Sequence, residues 1–410
     1  MEMMSQHFDV IVVGMGLSGL MAARTAVEMG EKTLIIGKGT GSLGLFSNTI
    51  DVLGTLPEGM KMADGLRFWI ENHREHPYSK LDWERIEQAL FSFRQLFDSQ
   101  YPFQPIDHKN CLIPTGAGTY RPTYLVPPTM TAGTLSNKRK VLIVGFKGFK
   151  DFYSDYVADQ LKCRAIVIPL SEFEGHEMSA TAIARLMEKE SFREALGRAV
   201  KKQVEGEFCV GFPALLGIRD PWIAKKHLEK IIGAEVFEIP ILPPSIPGMR
   251  IFRRFKDWLI QRGVTFLLGH SASKTILHGK RCERIEVSHP PLSQFYSADR
   301  FVLATGRFLG GGLKGDEEKI VEPLFNLPVM QSKSRDDWFA KSFFGHHPIH
   351  GAGILTDSSF RPVDQKGEHL LENVWIAGSI LAGHDCIEEK SREGIEIATG
   401  YWATKNAFQI

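Results

Sequence analysis

Phe8–Val13, Phe-Asp-Val-Ile-Val-Val, is an apolar, β-branched run followed without a break by Gly14-Met15-Gly16-Leu17-Ser18-Gly19. An amphipathic stretch then runs to Gly30, and Lys32–Ile36 is a second apolar run. Strand, glycine turn, helix and strand make a complete βαβ unit around a GxGxxG fingerprint, and no other segment restricts the fold as tightly. The spacing assigns each glycine a role. Gly14 makes the tight turn, Gly16 lets a phosphate reach the backbone, and Gly19 lets the helix pack on the strand. Unpaired N–H groups at the helix start then hold the phosphate. An acid at the end of the second strand ordinarily accepts hydrogen bonds from an adenosine ribose. Here that position is Gly37, followed by Lys38. The fingerprint therefore predicts a phosphate-bearing cofactor held without the usual adenosine contact.

Two later segments extend the pattern. Arg300–Thr305 reads as a strand running into Gly306, and the Ala304-Thr305-Gly306 turn has no bulky side chain to keep a cofactor away. Asn373–Ala377 reads as the last strand, running into Gly378, and resembles the final strand of flavin-binding folds. Those folds usually carry an Asp after the glycine, on the ribityl chain. Ser379 stands there, and its hydroxyl makes a weaker, uncharged bond. A helix over roughly 388–406 follows; its start can face a reduced flavin, with Gly394 at the approach. The middle of the chain supplies strands at Lys140–Val144, Arg164–Pro169, Phe208–Phe212 and Val236–Pro240. The fold expected is α/β: a Rossmann-like FAD/NAD(P)-binding flavoprotein fold with an inserted second α/β domain. Residues 1–110 and 260–410 form the discontinuous flavin-binding domain, and 111–259 the inserted domain.

Bulk properties exclude several classes. The 410 residues carry a formal charge of +1 and no basic block, so neither nucleic acid nor a membrane surface is implied. The start, MEMMSQHFDV, lacks the basic and apolar regions of a signal peptide, and no apolar run is long enough to span a bilayer. The five cysteines are far apart and form no CxxC pair, which argues against a zinc or iron–sulfur site and fits a cytoplasmic protein.

Other candidates are polar. His346, His347 and His350 resemble a metal cluster, but Pro348 keeps His346 and His350 off one helical face and no carboxylate pattern accompanies them, so no metal is expected. An imidazole among them suits acid or base work near a flavin. His384-Asp385 follows the last strand, where ligands gather, and reads equally as a helix cap. Arg121, in the Gly-rich Pro114–Pro122 segment, suits a phosphate or carboxylate, or a plain hairpin surface.

These blocks also occur in family order in a known group. The fingerprint, SNTIDVLGTLPEG (47–59), HPYSKL (76–81), KVLIVGFKGFKDF (140–152), ILPPSIPGMRI (241–251), RFVLATGRFLGGGL (300–313) and ENVWIAGSILAGHD (372–385) make the chain similar to the B subunit of anaerobic glycerol-3-phosphate dehydrogenase. A non-acid residue at Gly37 is usual in that family. The resemblance implies FMN as cofactor, with FAD as the alternative. It implies oxidation of sn-glycerol 3-phosphate to dihydroxyacetone phosphate, with electrons passed toward quinone. It implies an FAD-containing catalytic subunit and an iron–sulfur, membrane-anchoring subunit as partners, placing the chain in the cytoplasm or peripherally on the inner membrane face. Gly14, Gly16, Gly19, Lys38, Thr305, Gly306, Gly378, Ser379 and Gly394 are the expected cofactor contacts; no catalytic residue carries over. The segment Gly383–Gly394 is bulky and charged where the family has a glycine-rich turn. Two other readings stay open: an assembly or electron-relay subunit with a decayed flavin site, and an NADP-dependent dehydrogenase that uses Lys38.

Overall fold

A computed structural model describes residues 6–97, 99, 101–135, 140–173, 177–288 and 293–409. The chain runs β1 (Gln6–Val13), α1 (Leu17–Glu28), β2 (Thr33–Gly37), α2 (Met62–Glu71), α3 (Trp83–Gln95), β3 (Val141–Phe146), α4 (Ser154–Leu161) and β4 (Arg164–Ile168). Next come α5 (Ala180–Leu186), α6 (Glu190–Lys201), β5 (Cys209–Pro213), α7 (Pro221–Ile232) and β6 (Glu235–Ile239). It ends through α8 (Ile246–Gln261), β7 (Thr265–Leu268), β8 (Ser271–His278), β9 (Arg281–Ser288), β10 (Gln294–Leu303), β11 (Val374–Ile376) and α9 (Arg392–Asn406). Two compact units result. One takes Met1–Ser42, Ala63–Leu96 and Arg254–Ile410; the other takes Leu43–Met62 and Phe97–Arg253.

The first unit is built on a seven-stranded sheet in the order β7-β2-β1-β10-β9-β8, with β11 also on β10. β7, β2, β1, β10 and β11 are parallel, and the β8–β9 hairpin is antiparallel. Val10, Ile11 and Val12 are fully buried, as befits a strand covered on both faces. β10 serves two neighbours along one edge. Its early residues pair with β9, and Phe301–Leu303 pair with β11. The strands β1, β2, β10 and β11 thus deliver their C-terminal ends to one edge of the sheet. That edge is where ligands bind in open α/β sheets.

Small residues bring the helices close. A Cβ on Gly400 of α9 would lie 2.4 Å from the Ser18 carbonyl oxygen of α1, so only glycine lets the two helices approach this far. α3 is held to both. Arg24 donates to the Ser92 carbonyl, and Trp402 Nε1 donates to the Arg85 carbonyl at 2.8 Å.

The second unit has its own all-parallel sheet, β6-β5-β3-β4, with α4, α6 and α7 among the connections. Leu142, Ile143, Val144, Phe212, Leu228 and Val236 sit in its core. A buried ion pair, Arg250–Glu238, joins α8 to β6 through two bonds of 2.7 and 2.8 Å. Cys111–Pro114 and Tyr120–Thr123 form a hairpin, and its Arg121 is engaged with the buried Asp51 carboxylate. None of the five cysteines is in a disulfide among the described residues. Among the described residues no helix is long and apolar enough to cross a membrane.

Candidate cofactor site

The three fingerprint glycines meet three different surroundings. Gly14 has φ +121°, and a Cβ there would lie 2.1 Å from the Ala304 carbonyl oxygen. A Cβ on Gly19 would lie 1.9 Å from the Gly14 oxygen, so the helix rests directly on the turn. A Cβ on Gly16, by contrast, meets nothing within 4 Å. Gly16 caps α1 with extended backbone, makes no side-chain cap bond, and no acid stands in the first turn. The first N–H groups of α1 have no intrahelical partner, and the space before Gly16 is open. That cradle fits a phosphate. Gly41, at φ +56°, packs beside Gly16, its Cβ position 3.1 Å from Gly16 Cα.

The end of β2 is closed instead. A Cβ on Gly37 would lie 2.7 Å from Met15 Cγ, 2.9 Å from Met15 Cβ and 3.0 Å from Met15 N. Met15 is 2% exposed. The side chain between the first two fingerprint glycines therefore fills the place where a ribose-binding acid would begin. Lys38 is exposed at the start of the following loop.

The later turns converge on the start of α1. Gly306 has φ +69° and its Cβ position is 3.5 Å from Ser379 Oγ. Gly378 has φ +83°, and a Cβ there would lie 2.7 Å from Ser18 Cβ; its N–H donates to Thr399 Oγ1 at 2.8 Å. The structure thus brings Thr305, Gly306, Gly378 and Ser379 to the same edge as the phosphate cradle. Gly394 lies buried near the start of α9. Ser18 Oγ, Thr305 Oγ1 and Glu393 Oε2 are buried without a hydrogen-bond partner. Unpaired buried hydroxyls beside an open phosphate cradle are what a ribityl phosphate would satisfy, so the residues present fit a flavin.

α9 begins later than the sequence suggested. Residues 386–390 form turns because the Asp385 carboxylate accepts the N–H groups of Ile387 (3.0 Å) and Glu388 (3.2 Å), and Lys390 takes φ +51°. Two acids on the first turns of α9, Glu393 and Glu396, are buried. Both Glu396 oxygens lie within hydrogen-bond distance of Ser42 Oγ, at 3.0 and 3.2 Å. Burial, reinforced by Glu393, pushes the Glu396 carboxyl up to about 7, against the opposing pull of Arg392 and Ser42.

Next to this edge lies a polar cluster around Arg307. Its guanidinium donates to the carbonyls of His350, Leu381 and His384, and to His384 Nδ1. His384 is 2% exposed; burial, then Arg307 and His76, hold its imidazole well below the usual range, so it is neutral. His384 Nε2 is buried without a hydrogen-bond partner. His76 accepts from Tyr78 N at Nδ1 and donates from Nε2 to Glu389 at 3.2 Å. Burial lowers the His76 pKa despite Glu389. His346 precedes a short 3-10 turn, Pro348–Gly351, that contains His350, yet both imidazoles lie near Asp385. His350 Nδ1 lies 3.0 Å and His346 Nδ1 3.9 Å from its Oδ2. His346, Asp385 and Glu388 place their donor atoms within 4.8 Å of one another, a set that could hold a cation. Met15, Arg307, Glu389 and Glu396 carry much of this geometry; Met15 and Arg307 sit inside motifs without being their signature residues, and no motif carries Glu389 or Glu396.

An α/β sheet with an open phosphate cradle, two close turns and unpaired hydroxyls at one edge defines a flavoprotein oxidoreductase. Residues 9–392 match the FAD binding domain family over most of the chain. A Halobacterium salinarum protein named as a probable B subunit of anaerobic glycerol-3-phosphate dehydrogenase is 31% identical over 98% of this chain and 97% of its own. A Vibrio cholerae serotype O1 protein named as the B subunit of the same dehydrogenase is 30% identical over 97% and 96%. The chain belongs to the family of anaerobic glycerol-3-phosphate dehydrogenase B subunits. Among solved structures, 3-ketosteroid delta1-dehydrogenase from Sterolibacterium denitrificans aligns over 99% of this chain and 100% of that one, at 11% identity and a TM-score of 0.47.

Proposed function

We propose that this chain binds FMN and serves as a redox subunit of a complex oxidising sn-glycerol 3-phosphate to dihydroxyacetone phosphate. One observation carries the choice of cofactor: Met15 fills the space beside Gly37, so the ribose-binding acid of an adenosine site has no room. FMN has one phosphate and no adenosine, and asks only for the cradle. Gly14, Gly16 and Gly19 shape the phosphate site, and Thr305, Gly306, Gly378, Ser379 and Gly394 line the approach of the ring and ribityl chain. Lys38 supplies a nearby positive charge. When bound, the flavin supplies the two-electron acceptor. The His350–Asp385 pair supports a role for His350 as the base that takes the alcohol proton. Residues 111–259 are proposed as a domain inserted into the flavin-binding one.

The partners proposed are an FAD-containing subunit and an iron–sulfur subunit that attaches the complex to the inner face of the membrane and passes electrons to quinone. A second reading, a relay or assembly subunit without its own flavin, draws support from the two buried acids of α9, which add negative charge where a reduced flavin would gain it. Anaerobic addition of glycerol 3-phosphate to the flavin-loaded chain, alone and with its partners, separates these. Bleaching of this chain's FMN supports the proposal. A colourless chain within an active complex supports the assembly reading.

A further inference from the structure

Glu396 is a buried acid that the proposed oxidation does not use. It projects from α9 toward the same edge as the phosphate cradle. Ser42, from the loop after β2, holds both of its oxygens, and the Gly378 Cβ position lies 3.9 Å from its Cγ and 2.9 Å from Ser18 Oγ. Three of the segments assigned to the flavin therefore surround one carboxyl group, which is 5% exposed.

We propose that Glu396 takes up a proton when the flavin of this chain accepts an electron pair. The inference rests on the flavin reading above. Its ground is the imbalance of charge around the group. On its own helix, Arg392 is its positive neighbour and Glu393 a second negative one. Cys386, from the preceding segment, interacts with both Arg392 and Glu396. Ser42 of the 37–42 loop and Gly378, which lie against it from other segments, carry no charge, and Lys38 of that loop is exposed. A hydroxyl does not neutralise a buried carboxylate. The group is already poised near neutrality, at about 7. Adding electrons beside it raises its proton affinity further. The step balances simply: two electrons arrive from the reductant, one proton arrives from solvent, and an O–H bond forms on Glu396. Nothing leaves, and reoxidation returns the proton.

The test uses the full chain loaded with FMN. Its midpoint potential is titrated with dithionite from pH 5.5 to 8.5, and proton uptake on reduction is counted with a pH indicator. Each proton taken up with the electron pair steepens the slope by about 30 mV per pH unit. The wild type should show an added proton on the alkaline side of pH 7 that Glu396→Gln lacks. Equal slopes and equal proton counts in the two, both holding flavin, overturn the assignment. Should Glu396→Gln fail to fold, Ser42→Ala keeps the acid and strips its donor, and the break should move to higher pH; an unmoved break overturns the assignment equally. A wild-type chain that takes up no flavin overturns the flavin reading instead.

Discussion

Restoring the acid that β2 lacks is the sharpest perturbation of this site. Gly37→Glu places a Cβ 2.7 Å from Met15 Cγ and 2.9 Å from Met15 Cβ. Real side chains do not come this close, and Met15 Cβ, like the Met15 backbone nitrogen at 3.0 Å, cannot swing aside as the tip of a long side chain can. Overpacking of this kind costs about 1–3 kcal/mol. The single variant should therefore have a lower Tm and bind neither FMN nor FAD more tightly. Met15→Ala with Gly37→Glu removes the closest contact and frees the carboxylate. Charge-assisted bonds to a ribose are worth about 1.5–3 kcal/mol, which is roughly ten-fold or more in affinity. The remaining contact with the residue 15 Cβ holds the gain to the lower end. Lys38, next in sequence, can draw the new acid away and reduce it further. The assay is fluorescence titration of both flavins against wild type, single and double variants, with Tm recorded for each. The double variant should gain for FAD selectively. A Gly37→Glu protein with unchanged Tm and tight FAD binding would refute the reasoning, because it would mean that Met15 does not occupy the site.

Gly16→Val adds a branched side chain to open space, so the fold should survive by circular dichroism while bound flavin is lost; retained flavin would make the fingerprint purely structural. Gly19→Ala, with its Cβ 1.9 Å from the Gly14 oxygen, should instead destabilise the whole first unit, seen as a large fall in Tm or insoluble protein. Glu396 holds its proton up to about 7, above its unfolded value of 4.5, so the stability it contributes is complete below pH 4.5 and lost as pH rises through 7. Glu396→Gln should flatten the pH profile of stability by roughly 3 kcal/mol between those limits, measured by denaturant titration at each pH. Breaking the His350–Asp385 pair with Asp385→Asn should lower turnover by glycerol 3-phosphate far more than it changes flavin content.

The βαβ unit, the Thr305-Gly306 turn and the last strand were legible because each is a local pattern: an apolar run that ends in glycine. The β8–β9 hairpin was not. β8 is only partly buried on either side, so Ser271–His278 shows no clean alternation. β10 is visible only in its buried second half, since Gln294–Ser297 pairs with that same half-exposed hairpin. The sequence pattern places the start of α9 too early because the Asp385 turn, itself a polar side-chain device, competes with the helix. The site divides the same way. Glycines that must be glycine announce themselves in sequence. Met15 against Gly37 and Glu396 against Ser42 are contacts between distant residues, and only the fold brings them together.

Whether the cradle at Gly16 holds FMN is tested most directly by the identity and amount of flavin released from the purified chain. Heat denaturation followed by chromatography against FMN and FAD standards should return FMN, approaching one per chain after reconstitution. FAD in its place, or a chain that stays colourless after incubation with FMN, would contradict the account.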